Sequence, residues 1–285
     1  MATSAFRLNE TLFNPILYSR INQIWFSGVP EDATVPPNDV EKRWYGLSGP
    51  AAREAFDEEC RQSFGSVLQS IGPDALVLPP FTSHEVERDN AAGLAAPFLS
   101  QIISAEANGT ASETTAKTAM AMFILLDQLP RNIFRGPAAS QVFSHYDRLS
   151  LALSLCIVDE HLMPKIGDKD PGLALGLARR LDLHPSVRFR PVYRQWFYLP
   201  LEHSECRSYH VLLQQLTSSS MLPDVEAQGD AAAVTAVHHF MDFEAQHRKI
   251  IDQFGRYPHR NDPLGRQWTP EEKTFIEGGG QTFGS

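Results

Sequence analysis

The residues best suited to chemistry in this sequence are arginines and histidines near its C-terminal end. Residues 247 to 266 contain five Lys or Arg and two Asp, whereas the whole 285-residue chain has a formal net charge of −9. A guanidinium group binds a carboxylate or phosphate through paired hydrogen bonds, and histidine titrates near neutral pH. The segment FGRYPHRN (254–261) and the LGR after it therefore predict an anion-binding site. Its predicted ligand-binding residues are Arg256, Arg260, Asn261 and Arg266, with His259 as a candidate acid or base.

A second polar group follows the most apolar part of the chain. The run AMAMFILL, residues 119–126, leads directly into DQLPRNIFRG, residues 127–136. A buried helix with this ending places its polar groups at the edge of the core. We therefore predict that four residues contribute to the same site: Asp127, Arg131, Asn132 and Arg135. Alternatively, Arg131 and Arg135 only cap the last carbonyl groups of the helix, where a cation contributes about 0.3–1 kcal/mol.

A third polar group lies in FYLPLEHSE, residues 197–205. His203 and Glu205 are the other candidate catalytic residues, because both can exchange protons. Ser204 precedes a helical pattern and is predicted to be its N-cap rather than a nucleophile. Sequence adjacency does not place the imidazole of His203 on the Ser204 hydroxyl, as a catalytic triad requires.

Several function classes are disfavoured by what the sequence lacks. It has no Gly-rich nucleotide motif, no HExxH and no GxSxG, so no cofactor is predicted. Glu244 and His247 form a single Glu-x-x-His pair, and nearby arginines repel a dication, so no metal is predicted. The acidic net charge argues against nucleic acid as a partner. The three cysteines (Cys60, Cys156, Cys206) form no disulfide framework, and no apolar run reaches the about 20 residues of a membrane span. We expect a soluble, cytoplasmic protein.

The dominant hydrophobic period is helical, and no window alternates as a strand does. The pattern predicts an all-α fold of about eight to ten helices in a single domain, residues 1–285. The loop at 72–93 is predicted to be a proline-rich insertion. Pro130 is expected to end the second long helix, and Gly255 the longest one. The predicted helical segments are 14–26, 50–72, 112–130, 136–164, 170–185, 191–200, 203–216, 230–254 and 269–279.

These motifs, in this order, resemble the domain-of-unknown-function family numbered 924. The similarity rests on IWF (24–26), RWYG (43–46), FDEE (56–59), ILLDQLPRNIFRG (124–136), FYLPLEHSE (197–205) and the segment 247–272. It extends from about residue 21 to 283 along the printed sequence. The resemblance implies a helical protein of paired antiparallel helices, similar in shape to tetratricopeptide repeats. It implies no assured catalytic residue.

Three hypotheses for the polar groups remain open from the sequence. In the first, the arginines bind a small carboxylate or phosphate, and the protein is a binder or an enzyme. In the second, the helices form a scaffold that binds a peptide or protein partner in a groove. In the third, the arginines pair with acids and serve the fold alone.

Overall fold

The fold, seen in a computed structural model, is described for residues 6–104, 112–159 and 180–283. Within these ranges no strand is present and ten α-helices have seven residues or more, which confirms the all-α prediction. These ten helices and the shorter α6 are numbered in chain order: α1 (Pro15–Trp25), α2 (Asn38–Trp44), α3 (Pro50–Gln69), α4 (His84–Ser104), α5 (Glu113–Phe123), α6 (Leu129–Ile133), α7 (Asp147–Val158), α8 (Arg207–Leu216), α9 (Leu222–Gln228), α10 (Ala231–Phe254) and α11 (Pro270–Glu277). The tetratricopeptide-like pairing and the single domain stay predictions.

Helix α5 is the buried centre of the fold, as its apolar composition predicts. Every residue from Ala119 to Leu126 is at most 4% exposed, and α1, α4 and α7 all contact this helix. Ser112 caps its N-terminus, and Thr115 completes a reciprocal capping box. The larger of two hydrophobic clusters runs from Leu8 to Phe240 through these helices, and a smaller one contains Ile250, Ile251 and Tyr257.

Pro130 does not end this helical run, contrary to the prediction. Residues Ile124–Gln128 form a π-helical turn, in which the N–H of Leu129 bonds to the carbonyl of Ile124. Pro130 then lies in the first turn of α6, where its missing N–H leaves no α-helical hydrogen bond unmade. The wider turn avoids the steric clash between the Pro130 ring and the preceding helical turn. It also directs Asp127 and Gln128 into the core, where both are buried.

Three other boundaries differ from the sequence prediction. The predicted loop 72–93 is helical from His84, because Ser83 accepts a hydrogen bond from the Val86 N–H and two acids occupy the first turn. The segment 136–164 is not one helix: Gly136–Ala138 is a 3-10 turn and Val142–Tyr146 a second π turn before α7. Its end and most of 170–185 lie outside the described residues.

The third difference is at Ser204, which is not an N-cap. Helix α8 begins later, with Cys206 as N-cap, and the Ser204 hydroxyl accepts from the Cys206 N–H in the loop before it. Short turns connect the remaining elements: Leu181–Leu183, Pro185–Arg188, Pro191–Arg194, Gln195–Phe197, Leu199–Glu202, Thr217–Met221 and Pro258–Arg260. In the described ranges no helix is long and apolar enough to cross a membrane.

The two C-terminal helices have well-defined caps. Asp230 caps α10, and Gly255 ends it as predicted, in the left-handed conformation with φ of 67°. Thr269 and Glu272 form a reciprocal capping box at the start of α11. After α11 the Gly280 N–H bonds to the Phe275 carbonyl and the Gly279 N–H to that of Ile276, which is a Schellman turn. The chain therefore folds back toward α10.

Two glycine substitutions should have opposite effects on stability. Gly255→Ala places a Cβ at a left-handed position and should lower the free energy of unfolding by about 1 kcal/mol. Gly93→Ala lies inside α4 with open space around the new Cβ, and should raise it by about 0.5–1 kcal/mol. Denaturant unfolding of both variants checks the signs, and equal effects would contradict the assigned backbone.

Candidate functional site

A cavity of about 160 Å³ lies between the segment that follows α6 and the turn that follows α10. Three arginines and three histidines form its polar lining, and no Asp or Glu is among its lining residues. They are Arg131, Arg135, Arg260, His203, His247 and His259. Residues from all three polar motifs thus meet in one place. Its aromatic lining is Phe134, Phe143, Tyr257 and Phe283.

One carboxylate, Asp147, holds two of these arginines from outside the cavity. Arg131 Nη1 donates to Asp147 Oδ1 at 2.6 Å, and Arg260 Nη1 lies 3.4 Å from Asp147 Oδ2. The Arg260 guanidinium also packs 4.6 Å from the ring centroids of both Phe143 and Tyr257, within the range of a cation–π contact. Asp147 therefore fixes the polar motif at 127–136 to the turn at 257–261.

Three nitrogens around the cavity are buried and have no hydrogen-bond partner among the described residues. They are Arg131 Nη2, His259 Nδ1 and Arg260 Nε. Burial, followed by the charge of Arg260, lowers the pKa of His259 to about 3, so its imidazole is neutral at pH 7. A buried donor without a partner costs about 1–3 kcal/mol, and such atoms are rare in native proteins.

Asp127 and His203 form a hydrogen-bonded pair at the cavity wall. His203 Nδ1 lies 2.9 Å from Asp127 Oδ1, and Gln128 Nε2 donates to Oδ2 of the same carboxylate. Burial opposes ionisation of Asp127, but contacts with His203 and Arg131 outweigh it and lower its pKa to about 2. Burial and Arg131 lower the pKa of His203. A neutral His203 therefore donates its Nδ1–H to Asp127, which leaves Nε2 as a proton acceptor.

Asn132 and Arg135 bind a carboxylate on a different helix. Arg135 donates from Nε and Nη2 to both oxygens of Asp57 in α3, at 3.0 and 2.9 Å. Asn132 Nδ2 donates to Asp57 Oδ1 at 2.8 Å. Arg135 still borders the cavity, whereas Asn132 does not. The pair joins α3 to α6, so Asn132 is placed to serve the fold.

The remaining predicted residues form two ion pairs outside the cavity. Arg256 binds both oxygens of Glu272 at 2.6 and 2.9 Å, and Asn261 Nδ2 donates to Glu272 as well. Arg266 binds both oxygens of Glu205 at 2.8 and 2.7 Å. Glu205 Oε1 also accepts from the backbone N–H of Tyr257. These contacts shape the turn that carries His259 and Arg260.

A layer of buried acids and histidines lies behind the cavity, and most of it escaped the sequence prediction. His247 Nδ1 lies 3.6 Å from Glu202 Oε1, and His210 Nδ1 lies 3.4 Å from Glu244 Oε1. Burial, then the nearby charges of Glu244 and Asp127, raise the pKa of Glu202 well above its usual range. These surroundings favour the protonated, uncharged form of the Glu202 carboxyl group.

Two kinds of residue at the candidate site were missed because their sequence context is ordinary. Asp147 lies in the first turn of α7, where an acidic residue is favourable in any exposed helix, so its type alone does not indicate a site. Phe134, Phe143 and Phe283 are isolated aromatic residues in the sequence. The Glu-x-x-His spacing of Glu244 and His247 did mark two buried residues. In the described part of the chain, no group of three His, Cys, Asp or Glu side chains is placed to hold a metal ion.

The fold and the site define an all-α protein with a buried, arginine-lined pocket. The chain belongs to the family described as "Bacterial protein of unknown function (DUF924)", which matches residues 21–280. Among solved structures it is similar to a protein of unknown function from Agrobacterium tumefaciens, with 21% identity and a TM-score of 0.46. That match covers 92% of this chain and 98% of the other. No curated protein matches.

Removing the charge of Asp147 should strongly destabilise the protein. Asp147→Asn leaves the guanidinium groups of Arg131 and Arg260 without their shared carboxylate, which should cost about 3–5 kcal/mol of unfolding free energy. Asp252→Asn is the matched control, because Asp252 pairs with Arg207 on the surface and its loss should cost below about 1 kcal/mol. Urea unfolding of both variants measures the difference, and similar losses would refute the structural role of Asp147.

Stability should fall on mild acidification because His247 is buried in its neutral form. Burial lowers the pKa of His247 to about 2, whereas unfolded histidine titrates near 6.5. The unfolded chain therefore takes up the proton first, and the contribution of His247, complete above pH 6.5, declines by up to about 1.4 kcal/mol per unit below it.

The same unfolding experiment at pH 7 and pH 5 should show a smaller decrease for His247→Gln than for the unmodified protein. Asp127, with its lowered pKa, loses its stabilising contribution only below about pH 4, so it does not contribute in this interval. Equal decreases in both proteins would contradict a neutral, buried His247.

Proposed function

We propose that this protein binds a small anionic molecule, carrying a carboxylate or phosphate group, in the 160 Å³ cavity. The observation that carries the proposal is the set of three buried nitrogens with no partner among the described residues: Arg131 Nη2, His259 Nδ1 and Arg260 Nε. A bound anion would accept hydrogen bonds from the two guanidinium groups and offset the cost of burying them.

A comparison with another buried arginine of the same chain supports this proposal. Arg194 is fully buried, and each of its three side-chain nitrogens has a partner: Tyr198, Asp224 and Ser220 among them. Arg260 is 6% exposed, yet its Nε is unpartnered. The fold can therefore satisfy a buried arginine completely. Single unpartnered atoms also occur elsewhere, Arg43 Nε among them, and the cavity differs because three residues with such nitrogens line one space.

The Asp127–His203 pair adds proton-transfer chemistry to this site. The carboxylate fixes the imidazole tautomer, so Nε2 is the basic atom of a residue that lines the cavity. A ligand with an ionisable hydroxyl or a labile bond near Nε2 would meet a general base. Glu205 is less suited to this role because Arg266 occupies both of its oxygens.

A second candidate function, binding of a peptide or protein partner, has one observation in its favour. An open groove of about 940 Å³ runs beside α3 and shares Arg135 with the cavity. Leu47 lies in this groove and is 69% exposed. A partner held there would depend on Leu47 and Arg135 and would be insensitive to changes at Arg260.

Anion binding can be tested by titration calorimetry with acetate and inorganic phosphate on purified variants. Arg260→Gln should weaken binding at least about tenfold, because a hydrogen bond to a charged group contributes about 1.5–3 kcal/mol. Arg131→Lys keeps the charge beside Asp147 and removes the guanidinium fork, so it should also weaken binding. Arg207→Gln is the control, since it removes the same charge from an arginine that is 69% exposed.

Thermal unfolding of each variant separates loss of binding from loss of folding. If folded Arg260→Gln and Arg131→Lys both bind these anions as tightly as Arg207→Gln does, the cavity is not the anion site. The proposal would then give way to the groove or to a purely structural network.

A further inference from the structure

We infer that the ligand of the cavity is a monoanion with a single aromatic ring, namely a small aromatic carboxylate. This inference rests on the proposed anion site and narrows it to one chemical class. Three properties of the cavity carry it: the charge balance of its walls, the rings that line it and its size.

The walls of the cavity are formally neutral, which favours a single negative charge. Three guanidinium groups line it, those of Arg131, Arg135 and Arg260. Three carboxylates outside the lining contact these arginines or His203, namely Asp57, Asp127 and Asp147. The Glu205–Arg266 pair nearby adds no net charge. A bound monoanion adds one uncompensated charge. A phosphate dianion would leave two charges in a poorly solvated site.

The free nitrogens and the rings around them suit a flat ligand. The two guanidinium nitrogens without a partner, Arg131 Nη2 and Arg260 Nε, match the two oxygens of one carboxylate. Phe143 and Tyr257 flank Arg260, so the apolar walls begin directly beside these donors. Phe283 stacks on His247 with ring centroids 3.3 Å apart at another wall. An aromatic ligand can make edge-to-face or offset contacts with these rings, which contribute more than the apolar area they bury.

The size of the cavity limits the ligand to about one ring. Its 160 Å³ correspond to about five water molecules at roughly 30 Å³ each. Cavities for drug-sized ligands are typically about 300–1,000 Å³. A nucleotide or a folded peptide segment is therefore too large, whereas a benzoate-sized molecule is commensurate with the space.

Titration calorimetry at pH 8 with three probes tests the inference: benzoate, cyclohexanecarboxylate and phenyl phosphate. At this pH phenyl phosphate is a dianion, because its second pKa is near 6. Benzoate should bind about fivefold tighter than cyclohexanecarboxylate, an effect within the range of one aromatic pair. It should also bind tighter than phenyl phosphate. Arg260→Gln should lose benzoate binding, and Arg207→Gln should keep it.

The outcomes separate this inference from the proposed function. Equal binding of benzoate and cyclohexanecarboxylate, or tighter binding of phenyl phosphate, would refute an aromatic carboxylate as the ligand. The proposed anion site would still be supported if Arg260→Gln abolished that binding. If none of the three probes binds to the folded protein while acetate or inorganic phosphate does, the aromatic carboxylate is refuted and the anion site is retained. If none of the five anions binds, or if Arg260→Gln binds them unchanged, both the inference and the proposed site are refuted.

Discussion

The carboxylate of Asp147 is the interaction on which the candidate site depends. It lies at the start of α7 and contacts Arg131 from one polar motif and Arg260 from another, more than a hundred residues apart in the sequence. Without this shared anion, two guanidinium groups would face each other in a poorly solvated space. With it, both arginines have a carboxylate partner and also line the cavity.

The ion pairs around the cavity divide the predicted residues into two sets. Arg256, Asn261 and Arg266 meet Glu272 and Glu205 outside the cavity, and these contacts shape the turn. Arg131, His259 and Arg260 line the cavity, and each has one buried nitrogen without a partner among the described residues. Neighbouring arginines of one turn have different partners because the acidic residues that pair with them lie on different elements.

Local sequence rules predicted the helices well and the pairing of charges poorly. The caps at Ser112, Gly255 and Thr269 depend on residues within a few positions, so the sequence contains what determines them. Whether Arg256 or Arg260 faces a cavity depends on Glu272 and Asp147, whose positions are set by packing. Pro130 was misjudged because the proline rule assumes a regular α-helix, and the π turn before it removes the conflict. The convergence of the three motifs was foreseeable, but which of their atoms stay free was not.

The π turn at Ile124–Gln128 also sets the directions in which the side chains of the following helix, α6, point. A π turn is an α-helix with one extra residue, and each residue turns an α-helix by about 100°. Removal of one residue from this five-residue segment would rotate Arg131 by about 100° and move it away from Asp147 at the start of α7. The length of the segment, as well as the presence of its arginines, therefore decides whether Arg131 and Asp147 meet.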